Sequence, residues 1–462
     1  MMTIAVQAAK QLTRRIFKPA AYACFKNLSN QYSTATTMSK KHGPAKRIQG
    51  LDKNVWVEFV GLALEYKPVN LGQGFPDFAA PPNLVDALVK TISGEENKMM
   101  HQYTRGFGHP RLVKAISTLY SQLIGREINQ NTEILCTVGA YDSLFCAFMG
   151  LIDEGDEVII IEPYFDCYEP MTKMAGGVPV FVPLKPKHPR VPSTRDFVLD
   201  PEELASKFTD KTKALVLNTP NNPLGKVFKR SELEMIADLC KKHDVICISD
   251  EVYEWLVFDD NEHIRMASLP DMWDRTITIG SAGKTFSVTG WKLGWSYGPA
   301  HLIRPMMTIH QNSLYTIPTP LQEAAAIGFE TELARLNQPD CYFKELAAML
   351  KSKRERMAKF LSEVGLVPII PEGGYFMMAD TSGIDVDLND PEVGDGNRDY
   401  KLVRWLTKKK GIGAIPPSAF YNPDHKHLGE NYIRFCFIKE DSTLDKAEKI
   451  IREWKESMTN AK

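Results

Sequence analysis

Short β-rich runs alternate with amphipathic helical segments through the middle of this chain, and this alternation restricts the fold more than any other feature. Helical periodicity fills the intervals between the runs, as in Tyr141–Ile152 and Ser231–His243. Alternation at this spacing favours a mostly parallel sheet with helices on both faces, which binds ligands beyond the carboxyl ends of its strands. The predicted strands are Ile134–Val138, Val158–Ile161, Ala214–Leu217, Val245–Ile248 and Thr276–Ile279.

The pattern changes after Pro320, where long helical segments and isolated strands replace the alternation. The predicted elements there are a helical stretch over Leu321–Val364, strands over Tyr375–Ala379 and Tyr432–Ile438, a surface loop over Asp380–Asp399, and a helix over Asp445–Met458. We therefore predict two domains in an α/β protein. The large domain spans 76–320, a smaller α+β domain spans 321–462, and an amino-terminal segment over 48–75 packs on the smaller domain.

The amino-terminal arm has a composition of its own. The first acidic residue is Asp52, and the residues before it carry arginines and lysines mixed with Ser, Thr and Ala. An arginine-bearing, acid-free opening is typical of a mitochondrial transit peptide, which we predict over 1–47. A disordered basic arm and a nucleic-acid-binding arm are the alternatives. A second start at Met38 would give a cytoplasmic product as well.

The overall composition excludes several classes of protein. The chain has 56 basic and 57 acidic side chains and a net charge of -1, so we expect neither nucleic acid nor an acidic membrane surface as a partner. No apolar run approaches the roughly 20 residues of a membrane helix. The 8 cysteines include no Cys-x-x-Cys pair, which indicates neither a metal site nor a disulfide framework.

Polar residues follow four of the predicted strands. An acid, two lysines, amide-bearing turns and a helix start are thereby gathered at one edge of the sheet, where small residues let the backbone approach a ligand. The four segments are Ser249-Asp250-Glu251-Val252-Tyr253, Gly280–Ser287 with Gly290-Trp291-Lys292, Asn218–Gly225, and Gly139-Ala140-Tyr141.

Nucleotide-binding motifs do not account for these segments. A P-loop ending at Gly283-Lys284 needs a glycine where Thr278 stands, and a dinucleotide turn starting at Gly72 needs one where Asp77 stands. Taken singly, Asp250 reads as a structural cap and Lys284 as a solvated loop residue. Together, the groups at the strand ends describe one cofactor pocket.

Several ordered motifs resemble one family. The run Ser281–Ser287 with Gly290-Trp291-Lys292 resembles the lysine signature of class I aminotransferases, which are pyridoxal-phosphate enzymes of fold type I. The match narrows to the kynurenine aminotransferase and cysteine-S-conjugate β-lyase group, also called glutamine transaminase K, and extends from about Ile48 to the carboxyl end. The motifs that carry it are Asn70–Asp77, Glu162–Tyr168, Asn218–Pro223 and Tyr432–Phe437.

The resemblance implies pyridoxal 5′-phosphate as the cofactor and a homodimer as the assembly. Lys284 would bind the cofactor covalently and then move the substrate proton, and Asp250 would keep the pyridine nitrogen protonated. Tyr103 would reach the phosphate in the partner subunit. The other implied contacts are Asn222 and Tyr253 at the ring hydroxyl, Phe165 on the ring face, and Ala140, Tyr141, Ser281 and Lys292 around the phosphate.

The resemblance also implies a substrate site. Arg434 would bind the α-carboxylate as a bidentate fork, assisted by Asn218 and the backbone of Gly74. Aromatic side chains would form the walls, although Phe376 fits a core position equally well. The implied wall residues are Trp56, Tyr141, Phe165, Tyr315 and Phe376.

The implied reaction moves the amino group of L-kynurenine, glutamine and related aromatic or sulfur amino acids to a 2-oxo acid, with C–S lyase side activity. One departure concerns the loop Asn312–Thr316, where the mammalian members carry an aromatic residue followed by His, whereas this chain has Thr316. The preferred amino acid therefore stays open. The alternatives are another transaminase or a dedicated lyase of the same fold; a ligand-sensing regulator would need a DNA-binding domain, for which the arm is too short.

Overall fold

The computed structural model describes residues 42–52, 54–188 and 190–460. The chain divides into two units, Met1–Gly50 and Leu51–Lys462. The described part of the first unit contains a short 3₁₀-helix, Lys46–Ile48. Most of the predicted transit peptide, residues 1–41, lies outside the described residues, as does Met38.

The described residues of the second unit form fourteen strands and thirteen α-helices. The strands are β1 (Val69–Asn70), β2 (Ile134–Thr137), β3 (Glu157–Glu162), β4 (Val178–Pro183), β5 (Lys185–Pro186), β6 (Phe197–Val198), β7 (Thr212–Asn218), β8 (Ile246–Asp250), β9 (Thr276–Ser281), β10 (Gly294–Tyr297), β11 (Val367–Ile369), β12 (Phe376–Asp380), β13 (Ile412–Gly413) and β14 (Tyr432–Cys436). The helices are α1 (Val55–Tyr66), α2 (Pro82–Ile92), α3 (Pro110–Ile124), α4 (Gly139–Leu151), α5 (Tyr168–Met174), α6 (Pro201–Ser206), α7 (Arg230–Lys242), α8 (Ala282–Thr285), α9 (Ala300–Ser313), α10 (Thr319–Ala334), α11 (Tyr342–Ser362), α12 (Arg398–Trp405) and α13 (Asp441–Asn460).

A seven-stranded sheet in the order β2-β10-β9-β8-β7-β3-β4 forms the centre of this unit. Every strand runs in the same direction except β10, which is antiparallel to both of its neighbours. The run Val158–Ile161 in β3 is buried throughout, as expected for a strand covered on both faces by helices. The α/β fold with a mostly parallel sheet is confirmed.

The register of this sheet aligns the polar strand ends. Asn218 at the end of β7 is the partner of Asp250 at the end of β8, and Asp250 is in turn the partner of Ile279 on β9. Two residues later β9 ends at Ser281, and α8 begins at once. The carboxyl ends of three adjacent strands therefore present an amide, a carboxylate and a hydroxyl side by side.

A three-stranded antiparallel sheet, β11-β12-β14, carries two of the predicted site residues, Phe376 and Arg434. Arg434 lies in β14 opposite Met378 of β12. The amino-terminal segment reaches this region because β1 pairs in parallel with β13 and Glu58 of α1 forms an ion pair with Arg404 of α12. The predicted domain boundaries at 75/76 and 320/321 stay predictions.

Two local expectations differ from the structure. The stretch Leu321–Val364 is two helices, α10 and α11, because Pro339 lacks an amide hydrogen and disfavours helix at the residue before it. Two strands of the central sheet were not predicted: Pro179 and Pro183 interrupt the strand pattern of β4, and the four residues of β10 are too few to show a period. Within residues 42–52, 54–188 and 190–460, none of the helices combines the length and apolar character of a bilayer-spanning segment.

Candidate active site

A cavity of about 270 Å³ lies between the carboxyl ends of β7, β8 and β9 and the three-stranded sheet. Every residue predicted for the site lines it except Tyr103 and Tyr315. The predicted residues that line the cavity are Trp56, Gly74, Ala140, Tyr141, Phe165, Asn218, Asn222, Asp250, Tyr253, Ser281, Lys284, Lys292, Phe376 and Arg434.

Lys284 projects from the short helix α8 and is held by two oxygen acceptors. Its Nζ donates to the hydroxyl of Tyr375 and lies 3.5 Å from the carbonyl oxygen of Gly74, to which the Tyr375 hydroxyl donates at 2.8 Å. Burial lowers the pKa of Lys284 from 10.5 to about 8, so a far larger fraction of its amine is neutral near physiological pH than in an exposed lysine. A neutral amine is the form that attacks a carbonyl or accepts a proton.

Sequence reasoning missed Tyr375. Its signal was available, because it begins the predicted strand Tyr375–Ala379 and stands beside the predicted wall residue Phe376. Its partner Lys284 is 91 residues away in sequence, so nothing local indicated the contact.

Asp250 supplies a buried carboxylate at the inner end of the cavity. Burial raises the pKa of Asp250 to about 6. The hydrogen bond that the Tyr168 hydroxyl donates to Oδ2 at 2.6 Å acts in the opposite direction and lowers it. A carboxylate in this position stabilises a cationic ligand atom placed against it. Tyr168 was not predicted either, although it ends the quoted motif Glu162–Tyr168.

The start of α4 forms an anion cradle with Lys292. Gly139 adopts a φ of +73°, and a Cβ at this position would lie 3.5 Å from the Lys292 Nζ. A Cβ on Gly294 would lie only 2.5 Å from the amide nitrogen of Ala140, so glycine lets β10 approach the helix start. The first-turn amides, the lysine and the nearby Ser281 hydroxyl are donors suited to a phosphate.

Arg434 is fully buried, with 0% of its surface exposed, and still lines the cavity. Its Nη1 donates to the side-chain oxygen of Asn222 at 2.8 Å, and its Nη2 donates to the carbonyl oxygen of Gly72 at 3.0 Å. The Phe376 ring centroid lies 4.0 Å from its guanidinium carbon. Burial lowers the pKa of Arg434 to about 10, which leaves a desolvated cation suited to a carboxylate.

Two asparagines fix the turn between Arg434 and Asp250. The side-chain oxygen of Asn218 accepts the backbone N–H of Asn222 at 2.7 Å, and its Nδ2 donates to the carbonyl oxygen of Asp250 at 3.0 Å. Asn222 is thereby positioned to bind Arg434 or a ligand oxygen.

Trp56 closes one wall of the cavity and is anchored by Asp166. The indole Nε1 donates to Oδ2 of Asp166 at 2.8 Å, and the side chain of Asn54 donates to the same oxygen at 3.2 Å. Burial raises the pKa of Asp166. Asp166 was missed by sequence reasoning, although it follows Phe165 in a motif that had been quoted.

Tyr103 and Tyr315 lie outside the cavity and contact each other. Their ring centroids are 5.7 Å apart, and 80% and 55% of their surfaces are exposed. Tyr103 and Thr316 line one shallow depression. The predicted reach of Tyr103 into a partner subunit stays a prediction.

The geometry can hold a planar, anionic cofactor together with a carboxylate-bearing substrate. The anion cradle, the Asp250 carboxylate, the Lys284 amine and the Arg434 guanidinium all line this one cavity. An electrophilic cofactor bound there would meet a neutral amine, and a substrate carboxylate would meet a desolvated guanidinium.

Comparisons with known proteins agree with this geometry. The sequence model of the family described as aminotransferase class I and II matches residues 66–451. Human kynurenine–oxoglutarate transaminase 3 is 57% identical over 425 residues, covering 92% of this chain and 93% of the relative. Human kynurenine–oxoglutarate transaminase 1 is 52% identical, covering 89% of this chain and 98% of the relative.

Solved structures show the same fold. Bna3p from Saccharomyces cerevisiae superposes with a TM-score of 0.82 at 33% identity, covering 88% of this chain and 97% of that one. The N-succinyldiaminopimelate aminotransferase from Mycobacterium tuberculosis superposes with a TM-score of 0.78 at 36% identity, covering 88% and 99%. The chain therefore belongs to the class I and II aminotransferases.

Proposed function

We propose that this chain is a pyridoxal 5′-phosphate-dependent aminotransferase that moves the amino group of L-kynurenine to a 2-oxo acid. The observation that carries the proposal is the meeting of the Lys284 amine, the Asp250 carboxylate and the Arg434 guanidinium in one cavity. The substrate rests on the relatives at 50% to 57% identity that are named kynurenine–oxoglutarate transaminases.

The residues of the cavity fit this cofactor. A phosphate matches the first-turn amides of α4 and Lys292, and a protonated pyridine nitrogen matches Asp250. Asn222 and Tyr253 offer hydrogen bonds to the ring hydroxyl, and Phe165 offers a face for the ring. When bound, pyridoxal 5′-phosphate supplies an electron-withdrawing ring that stabilises negative charge at the substrate α-carbon.

The side chains of this chain then orient the substrate and move its proton. Arg434 binds the α-carboxylate through two parallel hydrogen bonds, which fixes the direction of the α C–H bond. Lys284, whose lowered pKa of about 8 makes the neutral amine accessible near physiological pH, accepts that proton at Nζ. The Tyr375 hydroxyl and the Gly74 carbonyl hold Nζ in place for the return of the proton.

The aromatic wall suits an aromatic amino acid. Trp56, Tyr141 and Phe376 surround the space beside Arg434, and the Trp56 indole is fixed by Asp166. Such rings exclude water and contact a flat side chain without binding one particular polar group, as an enzyme that accepts two different substrates requires. We extend the proposal to glutamine and to C–S lyase side activity on substrates with a leaving group on the β-carbon.

The assembly and location belong to the same proposal. The exposed, touching rings of Tyr103 and Tyr315 support a homodimer in which this face meets a second copy. The acid-free, arginine-bearing arm supports import into the mitochondrial matrix, with a cytoplasmic product from Met38.

An absorption spectrum of the purified protein tests the proposed function. We expect the yellow band of lysine-bound cofactor, and its loss when L-kynurenine is added without an oxo acid, because the amino group moves to the cofactor. Adding a 2-oxo acid should restore the band. The matched control is L-glutamine in the same titration. A protein that stays colourless with added pyridoxal 5′-phosphate would contradict the cofactor, and a band unchanged by L-kynurenine would contradict the substrate.

A further inference from the structure

The first turn of α4 contains a carboxylate that none of the roles above uses. Oδ2 of Asp142 accepts the backbone N–H of Val138 at 3.0 Å and lies 3.1 Å from Nδ1 of His310 on α9. The side chains of His310 and Asp142 are 0% and 9% exposed. A carboxylate this deeply buried needs donors on its oxygens, so these two contacts hold it in place.

The surroundings of the His310 imidazole show which of its two ring nitrogens carries the proton. Nε2 of His310 is buried and has no partner among the described residues. We assign the proton to Nδ1, because a hydrogen on Nε2 would be an unpaired buried donor, while Nδ1 faces the Asp142 acceptor. His310 therefore donates to Asp142 rather than accepting from it.

Cys146 lies beside Asp142 and His310, but the three side chains do not make a metal site. Its Sγ lies 3.6 Å from Oδ1 of Asp142, and the donor atoms of the three side chains lie within 4.8 Å of one another. Burial, followed by the charge of Asp142, raises the pKa of the thiol, so it stays protonated and is a poor metal ligand. Hydrogen bonds already account for the closeness of the three groups.

The pair joins two parts of the molecule. Val138, whose N–H it binds, immediately precedes Gly139 in the anion cradle, where Lys292 lies. On the other side, the carbonyl oxygen of His310 accepts the N–H groups of Leu314 and Tyr315 at the end of α9. His310 therefore contacts the helix start beside the cradle through its side chain and the end of α9, next to Thr316, through its backbone carbonyl.

We propose that Asp142 and His310 form a positioning pair that sets the affinity of the cradle for the phosphate group of the cofactor. The inference rests on the proposed function. The Nδ1–H of His310 stabilises a carboxylate that stands at the same helix start as the bound phosphate. Without this donor, Asp142 is left partly unpaired, the turn at Val138 loosens, and the charge repels the phosphate.

Two substitutions of His310 separate the donor from the bulk of the side chain. The amide nitrogen of Asn takes the place of Nδ1, whereas the amide nitrogen of Gln takes the place of Nε2. His310→Asn should therefore keep the affinity of the cofactor-free full chain for pyridoxal 5′-phosphate, and His310→Gln should weaken it about tenfold. Asp142→Asn with His310→Gln should recover the affinity, because no charge is left unpaired.

These affinities can be measured by titrating the cofactor-free protein and following its fluorescence. Pyridoxal, which lacks the phosphate, is the matched control ligand. Its affinity should be unchanged in His310→Gln, and inorganic phosphate should compete less well with pyridoxal 5′-phosphate there than in wild type. Equal losses for both ligands, equal effects of Asn and Gln, or a double variant as weak as His310→Gln would each overturn the proposal. If His310→Gln does not fold, a tenfold loss of affinity for pyridoxal 5′-phosphate in the double variant relative to wild type would overturn the proposal. A wild-type protein that binds no pyridoxal 5′-phosphate would instead contradict the proposed function.

Discussion

The inner end of the active-site cavity and its mouth are built in different ways. At the inner end, Asn218, Asp250 and Ser281 come from the ends of adjacent strands, and the register of one sheet sets their spacing. At the mouth, Trp56 and Tyr141 come from two helices that lie far apart in sequence.

The two regions also differ in burial and anchoring. Asp250 and Arg434 are buried and hydrogen-bonded to groups that are themselves fixed, whereas Tyr141 is 44% exposed and Trp56 depends on the single acceptor Asp166. A rigid inner end suits chemistry that requires fixed distances, and a less constrained mouth suits the exchange of substrates of different shape. We expect substitutions to lose activity at the inner end and to change substrate preference at the mouth.

The largest effect is expected at Lys284. Lys284→Ala removes the amine that we propose binds the cofactor and moves the proton, so turnover should fall to the background rate while the fold is retained. Transamination assays with circular dichroism would check both points. Lys449→Ala, at an exposed helix position, is the control and should keep wild-type activity. Measurable turnover without the amine would show that another group takes the proton.

Substitution of Arg434 tests whether different residues of the inner end bind the cofactor and the substrate. Arg434→Ala removes both carboxylate-binding N–H groups, so KM for amino and oxo acids should rise about 100-fold or more, as expected for the loss of a bidentate charged contact. The absorption spectrum of bound cofactor should not change. The exposed Arg452 gives the control variant Arg452→Ala. Loss of the cofactor band in Arg434→Ala would contradict its assignment to the substrate.

The pH dependence of cofactor capture tests the burial of Lys284. Because burial lowers its pKa to about 8, the neutral, reactive amine predominates above that pH and becomes protonated below it. The initial rate at which cofactor-free protein captures pyridoxal 5′-phosphate should therefore fall about tenfold per pH unit below pH 8 and level off above it. In Asp250→Asn the midpoint should move to lower pH, since the Asp250 carboxylate raises the pKa of Lys284. A midpoint near 10.5 would mean that the amine is not desolvated.

Trp56 tests the mouth. Trp56→Phe keeps an aromatic ring but loses the indole N–H that binds Asp166, so the wall becomes less ordered. We expect KM for L-kynurenine to rise about fivefold with little change in kcat, because one hydrogen bond to a partly buried carboxylate is lost far from the reacting atoms. Asp166→Asn keeps an acceptor for the indole and should stay close to wild type. A fall in kcat without a rise in KM would contradict this prediction, because it would mean that Trp56 acts on the reacting atoms as the residues of the inner end do.

The smallest effect is expected at Thr316. Thr316→His introduces the residue that the resemblance places there. It should change the ratio of kcat/KM for L-kynurenine and L-glutamine by about threefold or less, since Thr316 lines a separate depression outside the active-site cavity. Steady-state assays with both donors would measure the ratio, with Thr308→His on the exposed side of α9 as the control. A change in the absorption spectrum of the bound cofactor would contradict the expectation that substitutions outside the inner end leave the cofactor site unaffected.

Much of the inner end could be predicted from sequence. Short apolar runs indicate strands, and the carboxyl ends of parallel strands meet at one edge of a sheet. Asn218, Asp250 and Lys284 can therefore be assigned to one pocket from the sequence alone. The strand β10 could not be predicted in this way, because four residues in the reverse direction leave no periodic signal.

The partners of these residues could not be predicted. Tyr168 binds Asp250 across 82 residues of sequence, Tyr375 binds Lys284 across 91, and Asn222 binds Arg434 across 212. Tyr168 ends the motif Glu162–Tyr168 and Tyr375 begins a predicted strand, yet neither pattern predicts the partner of its hydroxyl. Hydrogen bonds between distant segments leave no trace in the local pattern of either one.

By itself, the sequence determined which chemical groups stand at the ends of which strands, because strand periodicity and turn residues are local properties of the chain. It thereby determined the α/β fold, and the resemblance of its motifs to a known family indicated the aminotransferase class. Only the tertiary structure decided how those groups are tuned: that Lys284 is desolvated against Tyr375, that Arg434 is buried under Phe376, and that Asp142 meets His310. The physical reason is that burial and long-range hydrogen bonding depend on how sheets and helices pack, and packing depends on all the segments at once.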